Sequence, residues 1–207
     1  LLVTLHEARA TENLSAELHL LLNQTISEEI AGEVERGRPR LDRQRSQLPN
    51  VRFGILHTLH LTAVMWTACA TRDFAWSDAY CSEIWPLYER SPVRRTAFLA
   101  FTVHSTRARL LLNRQVAIAS SNEPESLVRE DLRRIAKLPL RSRNATLARL
   151  NARICLLRGD RTRAIPLLRQ SAEEYDACDR PDDATRDRYA LGIAIGGAEG
   201  EALREAA

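Results

Sequence analysis

Four short stretches carry residue types at spacings that can do chemistry. "HTLH" sets His57 and His60 one helical turn apart on one face, where two imidazoles can share a metal ion. No third ligand stands near them in the sequence, although His104 follows His60 at the spacing of an internal repeat, and the pair reads as partly buried or groove-lining histidines. "ERGRPRLDRQR" contains Arg36-Gly37-Arg38-Pro39, the core of an AT-hook, in which an extended Arg-Gly-Arg lies in a narrow A·T minor groove. Glu33, Glu35 and Asp42 sit beside it and oppose a phosphate backbone, so the stretch reads as a solvated connection between helices.

The third stretch, Arg158-Gly159-Asp160, is a tripeptide that some secreted proteins display to adhesion receptors. Here it lies between two helical stripes. Gly159 suits a left-handed C-cap, and Asp160 can accept the exposed amides of the following helix. It reads as a turn, with Thr71-Arg72-Asp73 at the same kind of boundary. The fourth group is Arg109, Arg149 and Arg153: Arg109 and Arg153 are one repeat apart, and Arg149 precedes Arg153 by one turn. On the inner helices of a repeat array, such arginines can form bidentate bonds to carboxylates of a partner peptide. Together with His57 and His60 they form the expected partner-binding set.

Catalysis finds little support. His6, His19, His57, His60 and His104 have no Ser or Cys elbow around them, and the carboxylates are scattered over polar faces. No cofactor is expected. Trp66, Trp76 and Trp85, with Tyr80 and Tyr88, fall at helical spacing and read as core wedges rather than a stacking box.

Composition sets the frame for these groups. With 207 residues, 44% of them hydrophobic and 28% charged, the chain resembles an ordinary globular protein. Its net charge of +3 is too small to imply a nucleic-acid or membrane partner. Almost all the positive charge is arginine, with Lys137 the only lysine. The four cysteines show neither a CxxC nor zinc spacing, so reduced core thiols are expected. No segment resembles a signal peptide or a membrane span, which makes a cytoplasmic location the expectation. From the start on Leu1, inside a helical pattern, the chain is expected to be a fragment of something larger.

Almost every segment repeats its apolar residues at three- and four-residue steps, so the expected fold is all-α. The helices are placed at 1–9, 11–23, 27–45, 50–70, 73–90, 92–118, 124–137, 141–157, 161–178, 182–195 and 198–206. Short connections force neighbours to pack antiparallel, as hairpins. A shift of 44 residues carries His60 to His104, Val64 to Ala108 and Ala152, Thr67 to Leu111 and Cys155, Ile84 to Val128 and Ala172, and Tyr88 to Leu132. That register breaks near Ser120 and Pro124. Helix pairs repeating at about 34 to 47 residues mark an α-solenoid. The last full unit, with Ala148, Ala152, Cys155, Ala164, Leu168 and Ser171, fits the tetratricopeptide pattern best. The chain is therefore read as one tetratricopeptide-like domain over 1–207.

The run "AWSDAYCSEIWPLYERSPVRRTAFLAFTVHSTRARLLL" and the tail "DRYALGIAIGGAEGEALREAA", with Gly192, Gly196-Gly197 and Gly200, resemble a known group. They are similar to the C-terminal tetratricopeptide-like region of large bacterial, myxobacterial-type serine/threonine protein kinases that carry a predicted signal-transduction ATPase in mid-chain. Neither kinase nor ATPase signatures occur here: no GxGxxG, no HRD or DFG triplet, no Gly-rich loop ending in Lys-Ser/Thr. The resemblance implies a non-catalytic sensor or scaffold region whose partner is a protein or peptide, acidic groups among its contacts, or the upstream domains of its own chain. A helical region of a transcription activator, or direct nucleic-acid binding through Arg36–Arg45, are the alternatives.

Overall fold

The computed structural model describes residues 24, 36–48, 52–117 and 123–207, the side chains of 123 and 124 excepted. Among them nine α-helices and one 3-10 turn follow one another, and no strand occurs. The helices are α1 (Gly37–Arg45), α2 (Ile55–Thr71), α3 (Phe74–Arg90), α4 (Ala97–Ala117), α5 (Glu123–Ala136), α6 (Arg143–Leu157), α7 (Arg161–Asp176), α8 (Pro181–Ile195) and α9 (Gly197–Ala206). The all-α class expected from the periodicity is the class observed. The expected helices at 1–9 and 11–23, and most of the one at 27–45, lie outside the described residues.

The expected helix at 92–118 is two elements. A 3-10 turn, Pro92–Arg95, precedes α4, and Thr96 between them takes an extended backbone (φ −78°, ψ 111°). The carbonyl of Thr96 accepts from the amide of Ala100 at 2.9 Å, so this residue starts a new helix rather than continuing the old one. A β-branched hydroxyl residue favours that half-extended position, and apolar spacing does not register it.

Contacts gather in two compact units, Leu1–Ala117 and Ile118–Ala207, where the sequence reads as one domain. The boundary coincides with the break in the 44-residue register. In the first unit α2, α3 and α4 form the centre. Across α3 and α4 the pairs Asp78–Arg114, Trp85–Arg107 and Tyr88–His104 march in opposite directions, so the two helices are antiparallel. The shape is a hairpin with α2 lying alongside α4, parallel to it. Leu41, Leu61, Val64, Met65, Tyr80, Tyr88 and Val103 are buried at this junction. In the second unit α6, α7, α8 and α9 pack each against the next. Its core holds Ala152, Leu168, Leu191 and Ala194.

Small residues set how closely these helices approach. Gly192 and Gly200 are both buried where α8 crosses α9, and a Cβ on Gly192 would stand 2.5 Å from the carbonyl oxygen of Gly200. Only hydrogen fits there. The backbones touch without intervening side chains.

The turn reading of Arg158-Gly159-Asp160 holds in the structure. Gly159 has φ 75°, the left-handed region, and the Asp160 side chain accepts from the amide of Arg163 at 3.1 Å. The same device recurs between α2 and α3: Arg72 has φ 60°, and Asp73 accepts from the amide of Trp76 at 3.2 Å. An aspartate at this position satisfies one of the orphan amides of the next helix, a contribution of about 1 kcal/mol. Burial follows the 44-residue shift at some of the expected positions only: Cys155 and Leu132 are half-buried where Thr67, Leu111 and Tyr88 are buried. His60 and His104 are buried, as are Val64, Ala108 and Ala152, and Ile84, Val128 and Ala172. None of the described helices is long and apolar enough to cross a membrane.

Candidate functional site

The five residues expected at a partner-binding surface divide between the two units. His57, His60 and Arg109 belong to the first; Arg149 and Arg153 belong to the second.

His60 is inside the protein, with 1% of its surface exposed. Its Nε2 lies 2.9 Å from the carbonyl oxygen of Leu41, which can only accept, so Nε2 carries the proton. Nδ1 then accepts from the hydroxyl of Tyr80 at 2.7 Å. Both ring nitrogens are thus committed to joining α1, α2 and α3. Burial pushes the imidazole down to about 4, and it is neutral at physiological pH. His57, half-buried, accepts the backbone N–H of Gly54 on Nδ1 at 3.2 Å and closes the first turn of α2. Its ring centroid is 5.2 Å from that of Phe53. Neither imidazole is arranged as half of a shared metal site. Among the described residues no group of three or more His, Cys, Asp or Glu is placed to hold a metal.

Arg149 is half-buried. It lies between α6, α7 and α8, where Nε donates to Asp187 at 2.7 Å and Nη1 to Asp183 at 2.8 Å. Nη2 donates to the carbonyl of Asp183, and the guanidinium stacks 4.3 Å from the ring centre of Tyr175. Burial works against the charge, but the bonds to Asp187 and Asp183 and the nearby Tyr175 outweigh it, so Arg149 is held above its usual value. The side chain of Asp187 is 4% exposed, and the hydroxyl of Ser171 reaches its other oxygen. The arrangement fastens α6 to α8 across α7. Arg149 therefore holds the unit together instead of facing a partner. Arg153, half-buried on the same helix, lies one turn further along.

Arg109, half-buried like His57, Arg149 and Arg153, is the member of the set that stacks on a tryptophan. Its guanidinium lies 4.1 Å from the ring centre of Trp66, so a cation on α4 covers an aromatic on α2. Both residues are half-buried. Three helical turns before Trp66 on α2 stands Ile55, 56% exposed; three turns before Arg109 on α4 stands Phe98, 65% exposed. Eleven residues bring a helix back to within about 20° of the same direction, so each pair shares one stripe. α2 and α4 pack side by side, and the two stripes meet at the Arg–Trp stack. Ile55 and Phe98 are exposed near the amino ends of their helices, and Thr62 is buried between Ile55 and Trp66.

The three tryptophans, expected as core wedges, each carry an arginine on a ring face. Besides Arg109 on Trp66, Arg107 lies 3.6 Å from Trp85 and Arg38 lies 5.5 Å from Trp76. Arg38 also pairs with Asp73, Trp76 donates to Asp42 at 3.1 Å, and Arg45 donates to Glu83 at 2.6 Å. The basic stretch at Arg36–Arg45 is thereby tied to α3. Its backbone is helical from Gly37, which is not the extended form a minor-groove hook needs.

Phe98, Asp183 and Asp187 were not singled out in the sequence. Phe98 lies in the first turn of α4, whose start periodicity misplaces. The two aspartates follow each other at i and i+4, a spacing that would have marked them as a pair, but their cation lies more than thirty residues earlier. The four cysteines are free thiols, all partly buried; burial pushes the Cys81 thiol up to about 12, so it is not a thiolate at neutral pH. Compared with protein-family models, curated proteins and solved structures, the chain matches none.

Proposed function

We propose that the chain is a non-catalytic interaction and scaffold module, built as a tetratricopeptide-like solenoid and carried by a larger bacterial signalling kinase or ATPase. Its working surface is the shared face of α2 and α4, and its partner is a helix or extended segment with apolar anchors and a carboxylate. The observation that carries this reading is the Arg109–Trp66 stack in line with exposed Phe98 and Ile55. A large exposed aromatic three helical turns from a pre-stacked guanidinium offers an anchor and a charge at separate points along one helix. The buried positions shared by His60 and His104, by Val64, Ala108 and Ala152, and by Ile84, Val128 and Ala172 support the solenoid. Binding of a partner that favours one arrangement of the array would shift the upstream catalytic part between states.

Photo-crosslinking in the organism that carries the gene tests this. A benzophenone side chain is placed at Phe98 or Ile55 of the full-length protein, and at Leu87 as an exposed control on α3. One protein, or one upstream segment of the same chain, should be trapped from Phe98 and Ile55 and lost in Arg109→Ala. The same products from Leu87 as from Phe98, or products indifferent to Arg109, would remove the α2–α4 face from consideration.

A further inference from the structure

α1 is fastened by a charged rim around an imperfect seat. Leu41 is fully buried against the core of the first unit, and its carbonyl accepts a hydrogen bond from Nε2–H of His60. The next turn inward is Gln44, 3% exposed, whose side-chain Nε2 and Oε1 have no hydrogen-bond partner. Desolvating an amide without pairing it opposes burial, so docking of α1 is weakened from within. What compensates lies at the edge: Arg38 with Asp73, Asp42 with Trp76, and Arg45 with Glu83 and the ring face of Tyr80 at 5.1 Å.

Ser46 caps the carboxyl end of this helix. It is exposed, and its hydroxyl donates to the carbonyl of Arg43 at 2.8 Å. Among the described exposed serines and threonines (Ser46, Ser82, Thr96, Ser126, Thr162), Ser46 alone has an arginine three residues before it, and Arg45 adds a second directly before it. Arginine at that distance is what an acidic substrate groove of a basophilic protein kinase selects.

We infer that Ser46 is a phosphorylation site and that its phosphate releases α1 from α2 and α3. In the transfer, Oγ of Ser46 attacks the γ-phosphorus of ATP. The new O–P bond replaces the bond to the leaving ADP, and the hydroxyl proton passes to the base of the kinase. The product has lost the O–H that the Arg43 carbonyl accepted, and it places negative charge at the negative end of a helix dipole. It also stands next to Arg45, for which its oxygens compete with Glu83. The cap and the outermost rim contact are weakened by one event, and the unpaired Gln44 leaves little to hold the last turn. A kinase takes its substrate extended, so Arg43 reaches the groove only when this end of α1 unwinds. Phosphorylation therefore reads the opening as well as enforcing it.

The test uses the full chain with ATP and a purified kinase of known preference for arginine at the third position before serine. One phosphate should be incorporated and mapped to Ser46 by mass spectrometry, absent in Ser46→Ala and slowed at least about tenfold in Arg43→Ala. Hydrogen exchange across 37–45 should accelerate at least about tenfold on phosphorylation. Gln44→Leu, which removes the unpaired amide, should slow both the phosphorylation and the exchange. Glu83→Gln, which loosens the rim in advance, should quicken exchange without any phosphate. Incorporation at another residue, or a fully phosphorylated Ser46 with unchanged exchange across α1, would overturn the inference.

Discussion

Gly192→Ala sets two effects of opposite sign against each other. Gly192 lies in the interior of α8, where alanine favours the helix by about 1 kcal/mol over glycine. On propensity alone the substitution stabilises. Its Cβ, however, would stand 2.5 Å from the Gly200 carbonyl oxygen and 3.3 Å from the Arg204 amide nitrogen, both backbone atoms of α9. A third neighbour, Cγ of Arg204 at 2.8 Å, is a flexible side chain and can swing aside. The oxygen cannot move alone, so α9 must retreat from 2.5 Å to at least 3.0 Å, the lower edge of real Cβ contacts. Forcing a close-packed contact apart costs about 1–3 kcal/mol, and a rigid backbone neighbour places this case in the upper half of that range. The net expectation is a destabilisation of about 1–2 kcal/mol, or roughly 2–8 °C in the melting temperature. Far-UV circular dichroism in a urea titration measures it, with hydrogen exchange across 197–206 to localise the loss to α9. The double variant Gly192→Ala/Gly200→Ala should lose less than the sum of the singles, because one separation of the helices serves both methyl groups. A Gly192→Ala protein as stable as wild type, or more so, would refute the close crossing.

Two other expectations concern the buried polar groups. Arg149→Ala leaves the carboxylate of Asp187 buried without its cation, and should destabilise the second unit by about 3–5 kcal/mol in a denaturant titration. A loss of partner binding in that variant would report on folding rather than on recognition, so Arg109→Ala is the informative substitution for the latter. His60 binds its proton more weakly when folded, at about 4, than when unfolded, where an ordinary histidine titrates near 6.5. Between those values the unfolded chain carries the extra proton, so stability falls with acidification through this window, by on the order of 3 kcal/mol in total. In His60→Phe, stability at pH 7 drops through the unpaired Leu41 carbonyl. The difference from wild type should shrink from pH 7 to pH 4.5; a constant difference would mean that His60 does not titrate as described.

Most of the described helices, their order and the turns between them were legible because each is a local property; the split of 92–118 into a 3-10 turn and α4 was not. Apolar spacing marks a stripe, and Gly159-Asp160 or Arg72-Asp73 places a left-handed residue and a cap side by side in the chain. The candidate site was legible in part. Arg109 could be picked out from its repeat position, but Trp66 as its stacking partner depends on how α2 and α4 lie together. Arg149 was read as facing a partner because the carboxylates it serves are 34 and 38 residues away and on another helix. His60 follows the same logic: one residue pattern suits a metal pair or a core bond, and only the positions of Leu41 and Tyr80 decide. The glycines of the tail carried a resemblance in the sequence and a steric requirement in the fold; spacing alone does not tell that Gly192 meets Gly200.

The fastening of α6 to α8 by Arg149 has a mechanical meaning. α9 is joined to α8 at a crossing where backbone meets backbone, with Leu203 packed against the apolar cluster around Leu191. Pulled from the carboxyl end, α9 should peel away at low force. Extension then meets α8, where Asp183 and Asp187 grip a helix two elements back and shield α7 between them. A force trace of the second unit would thus show an early soft step and a later stiff one. Arg149 sets the height of the second step, which makes that residue a catch in a chain otherwise held by many small contacts.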